Sequence, residues 1–155
     1  MNITASTALP ADHIEHAERT QRTNDNGVAT FSLVGIIWLK LAVVYLIIGV
    51  GMGIMMGASQ DFTMRPVHAH INLLGWATMA LAGLIYSVFP DAGRSKLARL
   101  HFRLANISLP FMAIALGFVI TGTAAQVPVL AASEIAAALG ILVFAANPFI
   151  NLKAR

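Results

Sequence analysis

There is no cysteine in the 155 residues. This excludes a disulfide, a cysteine-ligated iron–sulfur cluster and any thiolate-held metal, and leaves His, Met, Glu and Asp as the available ligands. Charge is nearly as scarce. Charged residues make up 11% of the chain, seven acids against ten Lys and Arg, where a soluble domain carries about 25%. An ordinary soluble domain is therefore excluded. The net charge of +3 is small and sits almost wholly on one side of the chain's layout, so nucleic acid is a poor account of it. The first 30 residues contain no apolar run ahead of a small-residue cleavage site, so a signal peptide is not expected there.

What the chain has is apolar length. It is 57% hydrophobic with a mean hydropathy of +0.74, and the apolar residues fall in four long blocks. Blocks of 20 or more apolar residues are long enough to cross a bilayer as helices. The expected spans are 31–57, 66–89, 97–121 and 128–150. Residues 1–30, polar and of mixed charge, are expected to be a flexible tail. A short helix over 12–21 would place His13 and His16 one turn apart. The loops at 58–65, 90–96 and 122–127 are short, which forces neighbouring spans antiparallel. The fold class expected is an all-α, integral-membrane, up-down four-helix bundle over 31–155.

Basic residues orient it. Arg19, Arg22, Arg94, Lys96, Arg99, Arg103, Lys153 and Arg155 fall on one side and only Arg65 on the other. By the positive-inside rule both termini are cytoplasmic, in a bacterial inner membrane. Lys40, inside the first span, is read as snorkelling to the nearer surface. Gly49, Gly53 and Gly57 recur every four residues, a bare stripe against which another helix can close. The Ala-rich fourth span offers a second packing surface, and Pro110 is expected to kink the third.

The stretch from Asp61 to Pro90, DFTMRPVHAHINLLGWATMALAGLIYSVFP, carries the chemistry. Pro66 suits a first helical turn. His68 and His70 stand at the mouth of a span, where histidine is uncommon and often functional. Two residues apart on a helix they point about 200° apart, so a regular helix cannot aim both at one metal. His68 shares its stripe with Asn72, Gly75, Met79, Gly83 and Tyr86; His70 shares its own with Leu74, Ala77, Leu81 and Leu84. Glu134 lies two turns inside the fourth span at the same depth as the pair, and could accept the second N–H of a ligating imidazole. Met52, Met55 and Met56 approach that depth from the first span. His101 lies near the other face, about 30 Å away along the helices, and is read as an interfacial residue among Arg99 and Arg103.

HAHINLLGW followed by AGLIYSVFP resembles the second transmembrane helix of subunit I of the heme–copper oxidases, closest to the nitric oxide reductase and cbb-type branches. The first span, running into Ser-Gln-Asp-Phe, resembles the helix before it, so the likeness covers about 31–110. It implies a low-spin heme with an axial histidine. The His-x-Asn pattern gives that role to His70, whereas counting back from Trp76 falls between His68 and His70. The later helices, which supply the family's second heme ligand and copper-binding histidines, are absent here. No oxygen- or nitric-oxide-reducing centre is expected, and an enzyme acting alone is disfavoured.

Three functions follow as expectations. The first is a b-type heme protein for electron transfer, or for gas or heme sensing, near the periplasmic face. It would be a homo-oligomer, because one chain supplies no third histidine at that depth unless a methionine serves. The second is a copper- or other metal-handling protein using His68, His70, Met52, Met55, Met56 and Glu134. The third is a cofactor-free assembly subunit in which the histidines only hydrogen-bond. Membrane lipid is the expected partner of the apolar spans; a redox partner is left open.

Overall fold

The computed structural model describes Asp12 and residues 32–152. The expected tail, with His13 and His16, lies outside the described residues apart from Asp12. The chain is an all-α bundle of four long apolar helices. They are α1 (Leu33–Ser59), α2 (Arg65–Val88), α4 (Lys96–Ile120) and α5 (Val127–Asn151), with a short α3 (Pro90–Arg94) in the second connection. A 3₁₀ turn, Ala124–Gln126, leads into α5. The span boundaries agree with the apolar blocks to within four residues.

Each boundary has a local cause. Ser32 caps α1 by accepting from the Gly35 amide at 3.1 Å, and Ser95 caps α4 through the Ala98 amide at 3.0 Å. Both satisfy N–H groups that a helix start leaves without partners. Gln60 ends α1 in the left-handed region at φ 56°, a position that only a local turn tolerates. In the loop that follows, Asp61 Oδ1 accepts from the Thr63 amide and hydroxyl. Those bonds hold its carboxyl below the usual range. Pro66 occupies the first turn of α2, as expected.

Two antiparallel hairpins, α1 with α2 and α4 with α5, pack into one bundle. α1 and α2 bring their backbones into close approach at Gly35 and Gly83. A Cβ added at Gly35 would stand 2.6 Å from the Gly83 carbonyl oxygen, and one added at Gly83 would stand 3.0 Å from that of Gly35. Only glycine lets two backbones approach so closely. The Gly49–Gly53–Gly57 stripe is used differently from the expectation. Gly49 receives the Asn72 side chain and Gly53 the His68 ring, whereas nothing packs on Gly57. The stripe admits side chains of α2 rather than its backbone.

The core is small and aromatic: Trp38, Tyr86, Met79, Leu109 and Met112 are almost fully buried. Large apolar residues cover the outside instead, with Ile47, Ile54, Leu142 and Phe149 among the exposed ones. A soluble bundle would bury such residues; a bundle whose solvent is hydrocarbon has no reason to. This outward shell and the four long helices make the chain a multi-pass membrane protein.

Candidate functional site

The site is built on the first half of α2, and its backbone is unusual. Between Ile71 and Thr78 the helix widens into a π-helical segment of eight residues, directly after the two histidines. Such widening is rare and often found at functional sites. Thr78 Oγ1 donates to the Leu73 carbonyl, five residues back, at 2.8 Å, which follows the wider turn. The widening shifts the His70 stripe: Leu74 and Thr78 turn inward to line a central cavity, while Ala77, Leu81 and Leu84 face out.

His68 is held on all sides. Asn72 Nδ2 donates to the His68 carbonyl at 2.8 Å and lies 3.2 Å from the ring's Nδ1. An amide nitrogen only donates, so the ring accepts from Asn72 through one of its nitrogens, Nδ1 at 3.2 Å or Nε2 at 3.4 Å. Its Cε1 packs in the notch left by Gly53. Here the His68 ring is a hydrogen-bonded contact between α1 and α2.

His70 is in the opposite condition. Its Nδ1 stands 2.8 Å from the Pro66 carbonyl oxygen. A carbonyl only accepts, so Nδ1 carries the proton and the lone pair of the neutral ring is on Nε2. The ring is half-buried, with its orientation fixed by the backbone one turn earlier. An N–H held by a carbonyl, with the other nitrogen left open, is the usual preparation of a metal-ligating imidazole.

The other expected site residues disperse. Trp76 packs against the core. Met56 is buried, Met52 half-buried and Met55 71% exposed, so the three do not form a thioether cluster on one inward face. Glu134 is exposed on the outer face of α5, and the Nδ1–H of His70 is held by Pro66. Lys40 is exposed as well. Among the described residues no group of three His, Cys, Asp or Glu side chains is placed to hold a metal ion.

His101 departs furthest from expectation. It is 2% exposed, enclosed between the helices near the end of the bundle where α4 begins, rather than at the surface among Arg99 and Arg103. Trp38 stacks on its ring at 4.5 Å between centroids and Phe144 at 4.8 Å. Tyr86 Oη lies 3.1 Å from its Nδ1, and Asn147 Nδ2 donates to Tyr86 Oη at 3.3 Å and to the Ala92 carbonyl at 3.1 Å. Ser95 Oγ donates to Asn147 Oδ1 at 3.0 Å. This chain of bonds ties α2, α3, α4 and α5 together at one end. Beside it lies a cavity of about 30 Å³ lined by Trp38, Thr78, His101 and Ser108. Trp38 Nε1 and Ser108 Oγ have no protein partner there, and the space suffices for one water with several polar partners. The sequence signal for this centre was Asn147, an uncharged polar residue inside an apolar block, which the periodicity of the blocks passes over.

Compared with family models, curated proteins and solved structures, the chain matches none.

Proposed function

We propose that the protein binds a b-type heme through His70, for electron transfer or for gas or heme sensing near the periplasmic face of a bacterial inner membrane. The observation that carries this reading is the His70–Pro66 bond, which leaves one imidazole nitrogen of the bundle with its lone pair open and its ring orientation fixed. The His-x-Asn pattern in HAHINLLGW, which resembles an axial-ligand helix, supports the same residue, although counting back from Trp76 falls between His68 and His70. When bound, heme supplies a one-electron couple or an open iron position. The chain's part is to hold His70 in one tautomer and to offer the apolar strip of Leu73 and Ala77 beside it, both exposed. Both termini are cytoplasmic in this reading, from the eight-against-one placement of basic residues.

Purified protein should show a Soret band. His70→Ala should abolish it, and His68→Ala should leave it in place. Full heme in His70→Ala overturns the assignment. A second reading, the cofactor-free assembly subunit, is favoured by His68 and His101, both of which serve as internal hydrogen-bond partners. Purified protein that takes up no heme, with no effect of His70→Ala on folding, would decide for it. For the copper reading, Met56 is buried and Met52 half-buried, while Met55 is 71% exposed and stands apart from them. Reporter fusions at the 58–65 loop and after Arg155 test the orientation; a cytoplasmic signal from the loop would reverse it.

A further inference from the structure

We propose that the cleft between α1, α3 and α4 binds one anionic phospholipid. The cleft, of about 220 Å³, is bounded by Val34 and Ile37 of α1, Gly93 of α3, and Ala98, Arg99, Phe102 and Arg103 of α4. It combines two features that rarely share a wall. Arg99 and Arg103 are exposed and four residues apart, so they stand about 6 Å apart along one face of the helix. Guanidinium groups in that arrangement match the oxygens of a phosphodiester. The rest of the lining is apolar, and no acid contributes to it.

Position selects the occupant. The cleft lies in the first turns of α1 and α4, which begin at Leu33 and Lys96. Both helices are membrane spans: Arg99 stands in the first turn of α4, where the span meets the headgroup layer, and Arg103 one turn further in, beside Phe102, with Val34 and Ile37 across the cleft. An amphiphile with an anionic head fits both halves of that wall at once. A free phosphate would satisfy only the arginines, and a neutral lipid only the apolar floor. Basic pockets between spans are recognised lipid sites on this electrostatic ground. The inference is independent of heme: it uses none of the residues around His70, which lies at the opposite end of the bundle.

The test uses the full chain in detergent micelles, exposed to phosphatidylglycerol or phosphatidylcholine and observed by native mass spectrometry. One phosphatidylglycerol per chain should be retained, about ten-fold or more over phosphatidylcholine at equal concentration. R99Q/R103Q should lose that preference, whereas R94Q/K96Q, which removes the same charge from neighbouring exposed positions, should keep it. Ile37→Trp fills the cleft without touching its charges and should also lower retention. A thermal melt of each variant confirms that the bundle is intact. Equal retention of the two lipids, an equal loss in both charge pairs, or full retention in Ile37→Trp would each overturn the proposal. So would inorganic phosphate at millimolar concentration displacing the lipid completely.

Discussion

A single phenol decides whether the buried polar centre is satisfied. Tyr86 Oη accepts from Asn147, so its own proton is free to go to His101 Nδ1, 3.1 Å away. Tyr86→Phe removes both bonds and leaves an imidazole nitrogen that is almost fully buried without a partner, although Asn147 keeps the Ala92 carbonyl. Inside a membrane bundle such a loss costs about 1–2 kcal/mol. Tyr86→Phe should therefore lower the thermal midpoint, and Tyr45→Phe, on a half-buried ring with no bond of this kind, should not; equal midpoints for Tyr86→Phe and the parent would show that the network contributes nothing. At this scale the sequence was only partly readable. The identity of a ligand candidate could be named from His-x-His, but how a ring is bonded depends on which donor or acceptor its helix brings near. Pro66 and Asn72 make that choice, four residues before one histidine and four after the other. Nothing in the sequence spacing told which histidine would be claimed by α1, because the claim is made by the Gly53 notch across the interface.

Between elements, the glycines sort into those that set the distance between helices and those that do not. Gly83 meets the backbone of Gly35 and the Trp38 and Leu39 side chains within 3.1 Å of where its Cβ would stand, while nothing comes within 4 Å at Gly57. Gly83→Ala must push α1 away from α2, an overpacking that costs about 1–3 kcal/mol. Gly57→Ala should be neutral or slightly stabilising, since it lies in a helix where alanine is preferred. Thermal unfolding in detergent should rank Gly83→Ala well below Gly57→Ala, and the reverse order would refute the crossing described here. The four spans themselves were legible, because length and hydropathy alone determine what can cross a bilayer. The crossing was not. Gly35 and Gly83 are 48 residues apart, and a four-residue repeat in one helix, however regular, does not say which partner uses it. The π-helical segment was hidden too, since apolar residues in a membrane span carry no strong periodic signal on which a widened turn would show.

For the whole molecule the question is how many chains make a site. Heme in the proposed role takes two axial ligands or leaves one position open. Among the described residues the imidazoles are three: His68, engaged by Asn72; His101, buried and bonded to Tyr86; and His70, with Nε2 open. Among the described residues one imidazole is thus open, on a half-buried ring near the bundle surface, and in the proposed bis-histidine site the second would come from another copy. A separate observation points the same way. Glu134 lies two turns inside α5 and is exposed on its outer face. In a lone bundle that carboxyl would meet hydrocarbon, which is costly for an acid; a neighbouring chain would shelter it. The expected result is a ratio of one heme to two chains at saturation, on a particle with the protein mass of a dimer by light scattering. Mixed particles of parent and His70→Ala chains should lose the low-spin spectrum of the parent pair. A ratio of one heme per chain on a monomer would refute the shared site, and would make a half-buried Met52 or an open sixth position the better account of His70.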